Sequence, residues 1–356
     1  MNARGLGFTL RDAVALGEIA GPGTRIALGA AAEADIIAPA GLILGPEDVP
    51  PASGRCVFSF GNQATPPEIE SLASALDSVI ARSDGNFMLA CLAAPEWSRF
   101  VYQGYVFQNG RKVADLRDEF ARHLYGRAVI IPHGITAAGG AKLARHIAAC
   151  REQGVALALL DAVDAAHCAA LVPVFAEQLL VGGAAWVAGP QAHAAEFKIP
   201  VGRTVCLSGA LDRQTLFQLG AARGKVPLLQ IDPTTPDTEA TLAWAVEQGE
   251  GCIIASSAPP DRRGPASPAA AQHLADIAAG LAAGGVRRFI IAGNDTAAII
   301  LRRLGVAALT LGAEIEGLRW LENEDYKFLL KPGGFGGQFH LLDGFEPQIR
   351  LNESAE

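Results

Sequence analysis

The sequence predicts an α/β protein of two domains, each with a largely parallel sheet flanked by helices, and three observations carry that reading. From about Gly126, apolar runs of strand length alternate with alanine-rich stretches of helical period. Such alternation implies parallel strands buried on both faces, because each crossover helix covers the sheet it connects. The rhythm stops once, over residues 189–200, and then restarts. Two glycine-rich turns near the carboxy terminus each follow a β-type run. A chain of 356 residues, half of them hydrophobic, is long enough for two such domains. The expected division is 1–190, a linker at 191–200 in a stretch bounded by Pro190 and Pro200, and 201–356.

Taken in order, residues 84–125 differ from the rest. Aromatic and β-branched side chains gather around residues 102–110, and Asn109-Gly110 is a strong two-residue hairpin signal. Residues 127–132 read as a strand, 137–154 as a helix ending on glycine, and 155–162 as the next strand. After the pause come a strand at 203–209, a helix at 212–224, strands at 226–232 and 251–257 around a helix at 238–249, and a helix at 272–285. A buried strand at 288–292 then empties into Gly293-Asn294-Asp295-Thr296 and a helical pattern. There is no internal repeat and no low-complexity tract.

Composition narrows the partners. With 29 basic against 37 acidic side chains and no basic block, nucleic acid and anionic membrane are excluded as expected partners, and an anionic substrate needs local positive charge. The six cysteines show no C-x-x-C spacing and several sit in apolar runs, the pattern of reduced core thiols. No charged-then-apolar leader pattern opens the sequence, and apolar runs fall far short of the roughly 20 residues of a membrane span. A cytoplasmic location is expected.

The two glycine-rich turns carry the chemistry. A strand that empties into a tight turn before a helix leaves free N–H groups and the positive helix end facing any anion at the turn. Gly293, Asn294, Asp295 and Thr296 fit that description, and Gly334, Gly336 and Gly337 repeat it after a second strand. A single such loop reads as an ordinary βα turn; two in series point to a nucleotide site.

At these residues the sequence resembles the four-carbon acid sugar kinase family, whose nucleotide half carries an A-G-G-x-T-S turn and a K-x-G-N-F-G-G loop in the same order. Residues 208–219 are similar to its S-G-S-x-S-x-x-T-x-x-Q segment, with Ser208, Gly209, Thr215 and Gln218 in register. Residues 253–263 resemble its strand and Ser-rich turn, residues 311–321 its G-P-E-I-x-P-G-V-P-W-L connector, and residues 99–111 its G-R-T-V-x-x-G-x-x-x-V-x-G hairpin. The resemblance covers roughly residues 90–343, densely after 200. It implies ATP and Mg²⁺ as cofactors, a small anionic sugar acid as substrate, and phosphoryl transfer to one of its hydroxyls. A homodimer is left open.

The resemblance also assigns residues. Ser208 and Gly209 stand where it places nucleotide contacts, although a plain βα turn explains them equally. Lys331 reaches a phosphate or is a solvated surface lysine. Asp295 orients a magnesium-bound water or merely complements the helix dipole. Asp161, at a strand end where the family has an Asp, is the first candidate for the acid that takes a hydroxyl proton, while Asp164 reads as a helix N-cap and His133 as a lone loop histidine. Arg99 and Tyr102 inherit the hairpin and meet a substrate carboxylate, unless Arg99 only pins the hairpin to the sheet.

The departures concentrate in the acceptor half. The family opens on a strand ending D-D-x-T-G-A, and here Leu6 and Gly7 stand where both aspartates belong; an upstream start would restore such a motif. Its second acceptor motif, D-S-T-x-R-G-N, faces Phe58-Ser-Phe-Gly-Asn-Gln-Ala-Thr65, without the Asp or the Arg. In the nucleotide half the changes are milder, at Asn294, Ala297 and Gly334. The expected function is an ATP-dependent sugar acid kinase with a divergent acceptor site; the alternative is a degenerate homologue that binds nucleotide in a regulatory or scaffolding role.

Overall fold

The computed structural model describes residues 4–7, 10–14, 23–29, 34–39, 56–59, 66–81, 86–95, 98–171, 180–182, 198, 200–235, 237–256 and 268–345. The chain divides into two compact units, Met1–Ala192 and His193–Glu356. The expected linker, 191–200, lies outside the described residues except for Lys198 and Pro200.

In the first unit the chain runs through β1 (Arg4–Gly7), β2 (Arg25–Leu28), β3 (Ile36–Ala38), β4 (Cys56–Ser59), α1 (Pro66–Ile80) and β5 (Met88–Ala90). A hairpin segment follows: β6 (Arg99–Tyr102), β7 (Tyr105–Gln108) and β8 (Arg111–Asp115). Then come α2 (Leu116–His123), β9 (Ala128–Ile131), α3 (His133–Thr136), α4 (Gly140–Glu152), β10 (Leu157–Leu160), α5 (Ala165–Leu171) and β11 (Leu180–Gly182). The strands pair in parallel in the order β2-β3-β1-β4-β11-β5-β10-β9, and β6-β7-β8 form a separate antiparallel sheet.

Local sequence explains these elements. Helix α1 buries Ile69, Leu72, Ala73, Leu76 and Ile80, a spacing that keeps one face of a 3.6-residue period on the core. β10 is buried along its whole length, as a strand covered on both faces must be. The turn Asn109-Gly110 has φ of +50 and +74, the primed hairpin geometry its sequence signals, and Gln103-Gly104 repeats it at +50 and +76. Asp115 caps α2 by accepting from the Arg117 N–H, with acids in the first turn and bases in the last.

The second unit alternates regularly: β12 (Thr204–Ser208), α6 (Arg213–Ala222), β13 (Leu228–Ile231), α7 (Thr238–Glu247), β14 (Gly251–Ser256), α8 (Pro268–Ala283), β15 (Arg288–Ala292) and α9 (Asn294–Arg303). It closes with β16 (Ala308–Ile315), β17 (Leu318–Glu322), β18 (Lys327–Lys331) and α10 (His340–Asp343). The order is β13-β14-β12-β15-β18-β17-β16, parallel as far as β18 and antiparallel across β17 and β16. Cys91, Cys150, Cys168, Cys206 and Cys252 are free and buried. Among the described residues no helix is long and apolar enough to cross a membrane.

Candidate functional site

Register fixes where the site lies. Ser208, at the end of β12, pairs with Ala292 at the end of β15, and Ala292 pairs with Lys331 at the end of β18. Three parallel strands therefore stop at one level, and the segments that follow, 209–212, 293–296 and 332–337, leave the sheet side by side. Open α/β sheets hold their ligands at such carboxyl ends.

Helix α9 starts at this level without a side-chain cap. The N–H groups of its first turn, from Asn294, Asp295 and Thr296, have no partner within the helix and present its positive end. Two amides at these turns are already engaged. The Gly293 N–H is engaged by Lys331 O at 3.0 Å, and the Gly209 N–H by Ala292 O at 3.0 Å, so neither amide is free for phosphate. These glycines contribute space and conformation instead. Gly293 sits at φ +114, and a Cβ on Gly209 would collide with Thr296 Oγ1 and meet Leu274 Cδ1 at 3.3 Å. Beside them the Ser208 hydroxyl, in a residue only 1% exposed, has no hydrogen-bond partner among the described residues. A buried orphan of that kind costs about 1–3 kcal/mol, a cost a bound ligand atom would remove.

The second loop folds over α6. Gly334 and Gly336 take φ of +71 and +83, where a side chain is strained. Lys331 is 2% exposed, so the surface alternative does not hold: its Nζ donates to Thr215 Oγ1 at 2.8 Å and to Pro332 O at 3.0 Å. Burial lowers this ammonium below its ordinary value, and the charge of Asp212 pulls the other way. Asp212 caps α6, accepting from the Thr215 N–H at 2.9 Å and from Thr215 Oγ1 at 2.7 Å. Burial pushes the Asp212 carboxyl up, but the Thr215 amide and hydroxyl, the Gly334 N–H and Lys331 outweigh it and hold it below the usual range. Sequence reasoning passed over Asp212, because an acid before a helix reads as an ordinary cap; the available signal was that it stands at a serine position of the quoted S-G-S-x-S motif.

His340 closes the loop from below, 8% exposed and edge-on to Phe335 at 5.2 Å. Burial, then the Lys331 charge, depress its pKa below 6.5, and burial does the same to His273. A histidine kept neutral when folded leaves the unfolded chain to take up the proton first. Its stability contribution is therefore present above pH 6.5 and lost as pH falls through the folded value. Unfolding free energy from urea titrations should decline below that pH, and His340→Gln should remove part of the decline, the His273 share remaining.

In the first unit, β10 and β9 end level, with Leu160 paired to Ile131. Asp161, expected to take a substrate proton, is 0% exposed and accepts three backbone N–H groups. Its Oδ2 accepts from the N–H groups of Gln103 at 2.6 Å and His133 at 3.0 Å, and its Oδ1 from Gly104 at 3.0 Å. Burial raises its pKa while these three N–H groups pull it down. The geometry is that of a brace tying the β6–β7 turn and the start of α3 to the sheet. Arg99 is also 0% exposed, with Nε donating to Leu92 O at 2.7 Å, which fits the alternative in which it pins the hairpin. What reaches the strand ends is Tyr102, 42% exposed, its ring 5.8 Å from that of His133, which lies 4.6 Å from that of His167. Asp164 is an N-cap as its sequence suggests, accepting from the His167 N–H at 2.8 Å. Leu6 and Gly7 end β1 and bring no carboxylate there; residues 60–65, facing the second acceptor motif, lie outside the described residues.

The residues of the second unit fit a nucleotide: open helix amides, an orphaned hydroxyl, glycines where a Cβ would intrude, and a buried ammonium. For a metal they offer less. Among the described residues no cluster of three or more His, Cys, Asp or Glu side chains forms, and Asp295, exposed in the first turn of α9, is the one acid at the turn itself. A magnesium ion here would rest chiefly on phosphate oxygens, neutralising their charge.

Residues 205–341 match the family described as the nucleotide-binding C-terminal domain. The chain is 31% identical over 320 residues to the 3-oxo-tetronate kinase of Methylobacterium radiotolerans, covering 75% of each protein. It is 29% identical over 342 residues to the 3-oxo-tetronate kinase of Cupriavidus necator, covering 83% of this chain and 78% of that one. A crystal structure of a Haemophilus influenzae protein of the DUF1537 family superimposes with a TM-score of 0.72 at 20% identity, covering 96% of this chain and 98% of that one.

Proposed function

We propose that this chain, which belongs to the four-carbon acid sugar kinase family, transfers a phosphoryl group from ATP to a hydroxyl of a small sugar acid of the tetronate class. The observation that carries the reading is the level ending of β12, β15 and β18, which gathers the uncapped start of α9, the orphaned Ser208 hydroxyl and the buried Lys331 in one place. In this reading the amides of Asn294, Asp295 and Thr296 and the loop at Gly334, Gly336 and Gly337 hold the phosphates. Lys331 supplies a positive charge behind them, held in place by Thr215 and Asp212. Asp295 holds a water of the magnesium shell. Residues 1–190 serve the acceptor and 201–356 the nucleotide.

The acceptor side departs from the family's pattern where Leu6 and Gly7 stand in place of the two aspartates. That favours the sugar acid being turned over through another group, or a chain that retains nucleotide binding alone. Thermal unfolding with ATP or ADP and magnesium tests the donor side: ligand at 100 times its dissociation constant should add about 2.7 kcal/mol. No shift with either nucleotide would sink the reading. A coupled assay with 3-oxo-tetronate, threonate and erythronate tests the acceptor side. Turnover of threonate and erythronate is expected well below the ordinary range of roughly 1 to 10³ per second, and rates inside that range would refute the divergence argument.

A further inference from the structure

We infer that Gln214 and Gln218 convert the loop after β18 into an anion nest of three successive amides, those of Gly336, Gly337 and Gln338, built for the polyphosphate tail of a nucleotide. The inference rests on the nucleotide reading above and adds to it two positioning residues and one donor, Gln338, outside the glycine run. Gln218 is 0% exposed and lies in α6 under the loop. Its Nε2 donates to Phe335 O at 2.9 Å and Gly337 O at 2.8 Å, while Gln214 Nε2 donates to Gly336 O at 2.7 Å.

Peptide geometry supplies the next step. In a planar trans peptide the C=O of one residue and the N–H of the next point in opposite directions. With the carbonyls of 335, 336 and 337 all turned onto the glutamines, the N–H groups of 336, 337 and 338 are turned away from α6. None of those three meets an acceptor among the described residues. Gly336, which carries the first of the three, sits at φ +83, and a left-handed residue within such a run is what lets consecutive N–H groups converge on one anion. Gly337 and Gln338 are exposed, so the donors open to solvent rather than to the core.

One feature outside the loop points to a ligand rather than to loop structure alone. The unpartnered Ser208 hydroxyl, 1% exposed, lies at the same strand-end level. Gln218 Oε1 is buried without a partner among the described residues, so the side chain is committed to the loop at the expense of an unsatisfied acceptor.

The test compares wild type, Gln218→Met and the half-buried Gln214→Met by titration calorimetry with ATP, ADP and adenosine, after the unliganded melting temperature of each is recorded. Loss of orientation at amides that contact charged oxygens should weaken ATP and ADP by about tenfold or more, with adenosine affinity unchanged. ATP affinity equal to wild type in both variants would overturn the inference, as would an equal loss for adenosine and ATP, which marks a general structural effect. Wild type that binds no nucleotide would overturn the nucleotide reading itself, an outcome visible before any variant is compared. Should Gln218→Met fail to fold, Gln214→Met decides on its own.

Discussion

Gly336→Val is expected to erase the stabilisation that ATP confers while Gly334→Ala keeps most of it. Both glycines lie in the left-handed region, at φ +83 and +71, so each replacement carries backbone strain. Their surroundings differ. At Gly334 no heavy atom lies within 4 Å of an added Cβ, so alanine meets only its own backbone preference, worth about 1 kcal/mol. At Gly336 the added atom would collide with the His340 ring, with Cδ2 at 2.6 Å and Cβ at 2.7 Å. That ring cannot swing aside freely, because it is 8% exposed, packed edge-on to Phe335, and within 3.6 Å of Asp343. The loop must therefore lift off α6, taking with it the carbonyls held by Gln214 and Gln218. With ATP at 100 times its dissociation constant, wild type gains about 2.7 kcal/mol; Gly336→Val should gain none. A wild-type gain in Gly336→Val, measured by thermal unfolding, would remove the loop from the nucleotide site.

How much of this was legible in the sequence depended on what kind of interaction was involved. Strands β12, β13, β14 and β15 of the second unit were legible because each is a short apolar run closed by a polar or glycine residue, and parallel burial makes such runs continuous, whereas the antiparallel β16 and β17 fall largely in residues 311–321, read only as a connector. The hairpin turn at Asn109-Gly110 was legible because few dipeptides accept two positive φ values; Gln103-Gly104 takes the same shape, yet its Gln carries no such signal. The positions of the phosphate loops were legible from glycine after strand. Their donors were not: which amide is free depends on pairing across the sheet, and Lys331 O takes the Gly293 N–H only because β15 and β18 are neighbours. Burial misled in the same way at charged residues. Arg99, Asp161 and Lys331 read as solvent-facing chemistry, since charged side chains are seldom buried unless paired. Asp161 and Lys331 are held by backbone or hydroxyl groups distant in sequence, across 58 positions for Asp161 and 116 for Lys331, while Arg99 reaches 7 positions back to Leu92 O. No local pattern announces such partners.

Asp161 offers the strongest test of that distinction, because its two assignments predict opposite phenotypes. As a brace it accepts three backbone N–H groups from two segments, the turn at Gln103 and Gly104 and the start of α3 at His133. Asp161→Ala would leave all three donors without their partner, at about 1–3 kcal/mol each where they stay buried. The expected loss is about 3 kcal/mol or more, a large share of the roughly 5–15 kcal/mol that holds a typical protein folded. Asp161→Asn preserves the shape but offers one acceptor oxygen and turns an NH₂ group toward a backbone N–H, so its loss should be smaller and still clear. As a proton acceptor, by contrast, Asp161 would be worth about 10² to 10⁴ in rate and little in stability, since functional acids are held in place at some cost to the fold. Urea unfolding of wild type, Asp161→Asn and Asp161→Ala, set beside sugar acid phosphorylation at a temperature where all three are folded, separates the two. The brace predicts a falling midpoint from wild type to Asn to Ala, with any activity surviving in the folded fraction. An Asp161→Asn protein as stable as wild type but slowed by two orders of magnitude or more would return the residue to the chemistry and leave the hairpin anchored by other contacts.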